Sequence, residues 1–268
     1  MSRMSVSLLD AGDGMRLERF GSYTVQRPSP VALWRPRFKE WAPDARFSRE
    51  GGKRWQGPRV PHEPWWVDVG GFELQFKLTE FGHLGYFPEH AQIWSWCRER
   101  VKRPLSVLNL FAYSGAASIA LAQAGAEVTH VDSAPGMIEW AKINAERSKL
   151  STIRWIVDDA RKFCAREVRR NKSYDAILLD PPSFGRGSKG EVFKIEDDLL
   201  PMLELLKQLL SDAPAFVVLS CHTPGLTPAV LVQLMRDGMG LEAEGGELDI
   251  HAESGAILPT GTYARWAC

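Results

Sequence analysis

Cysteine is scarce in these 268 residues, and the four present, Cys97, Cys164, Cys221 and Cys268, never pair as C-x-x-C. Without that spacing the usual zinc and dithiol signatures are excluded, so no metal is expected, and lone thiols suit a reducing cytoplasm. No apolar run reaches the ~18 residues of a membrane span, and Met1–Asp10 lacks the apolar core of a secretory signal, so no membrane association is expected. An excess of one charge is missing too. The formal net charge is zero, which removes the overall electrostatic footprint of a nucleic-acid binder. Residues 27–59 are the local exception, with nine Arg or Lys against three acids. Internal repeats and low-complexity segments are also absent. Last, the chain lacks the G-x-G-x-x-G turn whose backbone amides hold a pyrophosphate.

What is present is a related unit with fewer glycines. Leu105–Asp132 runs as an apolar stretch, a small-residue turn, an alanine-rich helix and a second apolar stretch ending in an acid. That order is a β-α-β nucleotide-binding unit. Val107, Leu108, Leu110 and Phe111 suit a strand buried on both faces. Ser114-Gly115-Ala116-Ala117 allows a ligand close to the backbone at a helix N-terminus. Asp132, about 20 residues on, is placed to accept both hydroxyls of a ribose. A ligand with a ribose but no phosphate fits this turn, and S-adenosyl-L-methionine is the obvious one. A Rossmann-like strand and helix binding some other ligand is the alternative.

The rest of the chain alternates in the same way. Helices are expected over 88–102, 135–149, 160–170, 195–210 and 228–238, and strands over 153–157, 174–179 and 215–220. Such alternation predicts an α/β fold, a Rossmann-like, doubly wound and mainly parallel sheet. The extended runs 241–251 and 263–267 have no helix between them and predict a terminal β-hairpin. Residues 1–78 read as a small β-rich subdomain, with strands at 5–9, 16–20 and 23–26 around the Ala11–Gly14 turn, and 67–78 strand-like around Gly70-Gly71. Residues 79–268 form the larger domain. Five tryptophans between 34 and 66 sit among the basic residues. They can stack bases of single-stranded nucleic acid, or pack the subdomain internally.

In doubly wound sheets ligands bind beyond the carboxyl ends of the strands. The candidate cofactor residues are therefore Asn109, Phe111, Tyr113, Gly115, Asp132, Ser133, Asp159, Ala160 and Asp180. Asp159 can accept from an adenine amino group or serve as a helix N-cap. In Asp180-Pro181-Pro182-Ser183-Phe184 the two prolines remove amide donors and fix the backbone. The Asp180 and Pro181 carbonyls then point outward, and Phe184 can stack on a flat ring, so a planar heterocycle with an N–H edge is the natural guest. Pro181, Pro182 and Phe184 are the candidate substrate contacts. Asp180 and Cys221 are the candidate catalytic residues. A ring or exocyclic nitrogen needs only orientation, whereas cytosine C5 must be activated by a thiolate adding at C6. Cys221 is expected to face the same pocket as Pro181, with His222 lowering its pKa. Its other reading is a small buried hydrophobe.

These motifs, Asn109–Gly115, Asp132, Asp158-Asp159, Asp180–Phe184 and the upstream Gly85-Tyr86-Phe87-Pro88-Glu89, resemble those of class I S-adenosylmethionine-dependent methyltransferases. More narrowly, the chain over residues 75–268 resembles bacterial 23S ribosomal RNA methyltransferases that modify cytosine C5 or guanine N7. The resemblance implies a seven-stranded sheet with its last strand antiparallel, S-adenosyl-L-methionine as cofactor, RNA as substrate, and a contribution of Tyr86 and Phe87 to the cofactor pocket. Glu89-His90-Ala91 stands where that family carries Asp-Gln-Arg, and residues 1–66 do not match its separate RNA-binding domain. A methyltransferase acting on a small molecule or protein, with the tryptophan-rich segment as a lid, is the alternative.

Overall fold

The computed structural model describes residues 6–50, 54–187 and 190–268. It forms two compact units. One comprises Met1–Glu89 with Asp249–Thr260, the other His90–Leu248 with Gly261–Cys268. The division thus falls eleven residues later than expected from the sequence, and the tip of the terminal hairpin belongs to the first unit.

In the first unit β1 (Val6–Gly12), β2 (Met15–Phe20), β3 (Tyr23–Pro28), β4 (Ala45–Phe47) and β5 (Trp55–Gln56) form a sheet in that order. Of the expected first strand, Ser5 lies outside the described residues. Asp13 and Gly14 join β1 to β2 with φ of 51° and 73°, the left-handed pair a two-residue hairpin requires. β6 (Trp65–Asp68) and β7 (Glu73–Phe76) pair antiparallel across the Gly70-Gly71 turn. The hairpin tip completes this unit. Glu253 and Ser254 donate their amides to Leu8 and Leu9 carbonyls, and Ala252, Ala256 and Leu258 join Leu8, Ala11 and Ala32 in one apolar cluster.

The tryptophans mostly take the packing role. The Trp34, Trp55 and Trp65 indoles donate to the carbonyls of Ala11, Thr79 and Phe20, and Trp41 donates to Asp10. Part of the basic excess is neutralised internally as well, Arg27 by Glu18 and Arg59 by Asp44.

The second unit opens with α1 (Ala91–Arg98), after a short 3-10 turn at Pro88–His90. There follow β8 (Ser106–Leu110), α2 (Ala116–Gln123), β9 (Glu127–Asp132), α3 (Pro135–Arg147), β10 (Ile153–Val157), α4 (Ala160–Arg169) and β11 (Ala176–Leu179). A small antiparallel pair, β12 (Phe184–Arg186) and β13 (Val192–Lys194), precedes α5 (Ile195–Lys207), β14 (Phe216–Cys221), α6 (Pro228–Met239), β15 (Glu244–His251) and β16 (Ile257–Ala267). Pro135 and Pro228 sit in the first turns of α3 and α6, where a missing N–H costs nothing.

The main sheet has seven strands in the order β10-β9-β8-β11-β14-β16-β15. The pairs from β10 to β14 are parallel, and β16 runs antiparallel to β14. This is the Rossmann-like, doubly wound arrangement read from the sequence. Val107, Leu108 and Leu110 of β8 are fully buried, each contributing roughly 1.5–3 kcal/mol by leaving water. Two features differ from the sequence reading. The β12–β13 pair lies between 179 and 195, where no strand was expected, and β16 starts at Ile257 rather than Tyr263. Among the described residues no helix is long and apolar enough to cross a membrane.

Candidate functional site

The strand order reverses between β8 and β11, so their carboxyl ends flank the switch point where this architecture binds ligands. After β8 the chain makes an unusual turn. Phe111 and Tyr113 adopt φ of 55° and 52°, and Gly115 adopts 93°. Left-handed backbone at non-glycine residues costs about 1–3 kcal/mol each and is kept where the surroundings dictate it. Here Asp132, at the end of β9, helps to dictate it. Its Oδ2 accepts the Tyr113 amide at 2.9 Å and its Oδ1 the Ala134 amide at 2.9 Å. Burial pushes this carboxyl up, against three backbone hydrogen bonds that favour the charge. Each carboxylate oxygen keeps acceptor capacity beyond one N–H.

Gly115 opens α2 with no side-chain cap, so the first amides of that helix are free of a competing side chain. A Cβ on Gly115 would come within 3.0 Å of the Ala141 Cβ. Beneath this turn runs a buried chain: Asn109 Nδ2 donates to Ser118 Oγ, which lies 2.9 Å from His130 Nδ1. His130 Nε2 has no well-formed hydrogen bond among the described residues. Burial pushes the imidazole down to about 3, and the Tyr113 carbonyl only partly counters it.

At the β8–β11–β14 end of the sheet, Asn109, Asp180, Ser220, His90, Trp94 and Ala117 share a small cavity of about 40 Å³. The register pairs Leu179 with Leu219, so Ser220 is the neighbour of Asp180. Its hydroxyl donates to Asp180 Oδ1 at 2.8 Å. Cys221 falls on the other face. The thiol is buried within the apolar cluster of the second unit. Burial pushes its pKa up, and Asp180 adds to that. This placement opposes the thiolate role and the sharing of a pocket with Pro181, since strand alternation turns the residue after Ser220 away.

His222, expected beside that thiol, pairs instead with His90. Their Nε2 atoms are 2.8 Å apart, the ring planes differ by 9°, and the centroids are 5.1 Å apart. The centroid separation is the nitrogen separation plus one ring radius at each end, so the rings lie end to end. One Nε2 carries a proton and the other presents its lone pair. Asp180 flanks both, Oδ2 at 3.6 Å from His90 and Oδ1 at 3.8 Å from His222. These three residues are grouped closely enough to hold an ion, but lone pairs facing along one line match a hydrogen bond better than a tetrahedral centre. Sequence reasoning missed His90 as a site residue. Its signal was the position after Pro88 at a helix start.

The remaining candidates are distributed as follows. Asp159 caps α4, accepting the Lys162 amide at 3.1 Å, and pairs with Arg161 at 3.2 Å. Arg161 also bonds Asp198 and the Val192 carbonyl, fastening β13 and α5 to α4. Ala160 is buried, and Ser133 follows Asp132 at the rim. Phe111 turns its ring to Phe193, 5.2 Å away, and so lies on the core side. Pro181 is buried, Pro182 is exposed, and Phe184 is 51% exposed with the Arg186 guanidinium 5.7 Å from its ring centre. Ser183 and Thr223 hydroxyls meet at 2.7 Å. Tyr86 and Phe87 pack within the first unit, Tyr86 on Phe76 and Phe87 on His83.

A half-buried acid at the β9 end, a strained turn and an uncapped helix start together fit a ribose and a charged amino-acid tail, two neighbouring parts of S-adenosyl-L-methionine. Comparison with known proteins agrees. Residues 42–242 match the family model of S-adenosylmethionine-dependent methyltransferases. The ribosomal RNA large subunit methyltransferase K/L of Pseudoalteromonas translucida is 29% identical over 180 residues, covering 65% of this chain and 24% of that protein. The protein of the same name in Shewanella oneidensis is 34% identical over 145 residues, covering 52% and 20%. The chain thus spans a quarter or less of these relatives' length. Among solved structures, a SAM-dependent methyltransferase from Agrobacterium tumefaciens superposes with a TM-score of 0.93 at 39% identity, covering 99% of this chain and 91% of that one.

Proposed function

This chain belongs to the S-adenosylmethionine-dependent methyltransferase family, and from that premise we propose that it methylates a base of ribosomal RNA in the cytoplasm. S-adenosyl-L-methionine supplies a methyl group already made electrophilic by its sulfonium, so the protein's tasks are alignment and handling of a proton. Asp132 accepts the ribose hydroxyls. The Tyr113–Gly115 turn and the start of α2 hold the amino-acid tail, with Asn109 lining the adjoining cavity. Asp159 and the Ala160 amide face the adenine edge.

The observation that carries the substrate reading is the Asp180–Phe184 segment. It combines two consecutive prolines with a half-exposed ring at Phe184, shortly after β11 at the switch point. The naming of the curated relatives supports ribosomal RNA as the bearer of that base. Because the Cys221 thiol is sequestered, a nitrogen is the better supported target than cytosine C5, and the His90–His222 pair beside Asp180 is placed to take the proton an amino nitrogen releases. The test is mass mapping of methylated nucleosides in ribosomal RNA from cells with and without the gene. Loss of one methylated nucleoside on deletion, restored by the wild-type chain, is expected. An unchanged nucleoside profile would refute the substrate assignment.

A further inference from the structure

The turn carrying Phe81, in the first unit, is held far more firmly than a surface turn requires. Thr79 and His83 exchange hydrogen bonds through the Thr79 amide at 3.1 Å and the Thr79 hydroxyl at 2.9 and 3.0 Å, and the Gly82 amide returns to the Thr79 carbonyl at 3.2 Å. From beneath, Arg27 Nη1 donates to the Gly82 carbonyl at 2.9 Å. Arg27 is itself clamped by both oxygens of Glu18, at 2.7 and 2.8 Å, and both side chains are almost fully buried. Gly82 has φ of 84°, and a Cβ there would lie 2.8 Å from the Phe47 ring. A buried ion pair gains little net stability, but this one fixes a single carbonyl and with it the turn.

That turn presents a phenyl ring to water: Phe81 is 76% exposed. It borders a groove of about 410 Å³ lined by Phe47, Arg49, Arg54, Glu80, Phe81 and His83, within the usual size of small-ligand sites. Guanidinium groups outnumber carboxylates there. Desolvation and the guanidinium groups of Arg27, Arg16 and Arg49 together hold His83 below its ordinary pKa, against Glu89. An apolar ring carried on a fixed backbone turn loses less freedom on binding than one on a mobile loop. A stacking surface beside arginines is what a nucleotide of a single strand requires.

We propose that this groove binds one nucleotide of single-stranded RNA, its base stacked on Phe81 and its phosphate held by Arg49 and Arg54. The inference rests on the RNA reading above and gives it a defined point of attachment, in which two arginines of the tryptophan-bearing segment meet a ring from outside it. The test uses the full chain, a short fluorescein-labelled single-stranded RNA and anisotropy across a salt series, with S-adenosylhomocysteine binding and thermal melting as controls for folding. Phe81→Ala should weaken RNA binding about ten-fold, and Phe81→Trp should restore it. Arg49→Gln and Arg54→Gln should each lower the slope of log affinity against log salt by about 0.7. If the wild type binds RNA and these variants bind it with the same affinity and slope, the groove is not the site, while the RNA reading stands. Equal affinity for the duplex of the same sequence would also overturn the groove. If the wild type binds the cofactor product but no RNA, the groove and the RNA reading fall together.

Discussion

Protonation of His130 should set the acid limit of the second unit. This imidazole is fully buried in β9, and burial pushes it from 6.5 down to about 3. In the unfolded chain it takes a proton near 6.5, whereas in the folded state it stays neutral until far lower pH. The unfolded state therefore binds more protons at mildly acid pH, and stability is lost as pH falls below 6.5. At pH 5, roughly 1.5 units lower, the loss is about 2 kcal/mol relative to pH 7.5, at ~1.36 kcal/mol per unit. Urea unfolding followed by far-ultraviolet circular dichroism and intrinsic tryptophan fluorescence together reads it. His130→Asn keeps an acceptor near the position of Nδ1 but cannot titrate. The variant starts from a lower stability at pH 7.5, yet it should lose about 2 kcal/mol less than wild type on going to pH 5. Equal losses in the two proteins would show that burial does not hold His130 neutral.

Asp132→Ala should weaken S-adenosylhomocysteine binding at least ten-fold by calorimetry, because the carboxylate proposed to meet the ribose also anchors the Tyr113 amide; unchanged affinity would remove it from the site. Cys221→Ala should retain methyl transfer, since the thiol is buried in the core, and should cost about 1 kcal/mol of stability; loss of turnover in a folded variant would restore the covalent route. Gly261→Ala places a Cβ 2.6 Å from the Cys221 carbonyl and 2.8 Å from His222 Nδ1. It should displace His222 and reduce kcat while cofactor affinity holds, and a normal kcat would separate the imidazole pair from the reaction.

Much of the larger unit was legible because its signals are local. The β8-α2-β9 passage is written in a run of buried aliphatics, one glycine and one acid at fixed spacing, and prolines mark the starts of α3 and α6. The strand ends that carry the candidate ligand residues follow from that alternation. What escaped detection depends on partners distant in the chain. His90 and His222 are 132 positions apart, and nothing near either announces the other. Cys221 was assigned to the pocket because adjacency of β11 and β14 is readable, but which face it takes depends on a register that makes Ser220 the partner of Asp180. The tryptophans were ambiguous for a similar reason. Only the fold shows four of their indole groups donating to carbonyls and to Asp10, with Phe81 the most exposed phenyl ring among the described residues. Short strands such as β12 and β13 carry too few residues for a period to emerge.

The hairpin that closes the main sheet also limits how the chain can be divided. Residues 249–260 supply Ala252, Ala256 and Leu258 to a cluster otherwise built from Leu8, Ala11 and Ala32. The N-terminal unit therefore cannot finish its core during synthesis until nearly the whole catalytic sheet has left the ribosome. Cutting the gene at the apparent boundary strips the N-terminal fragment of part of its core, so the small unit cannot be shuffled between proteins as a cassette and must be inherited together with the sheet it interrupts.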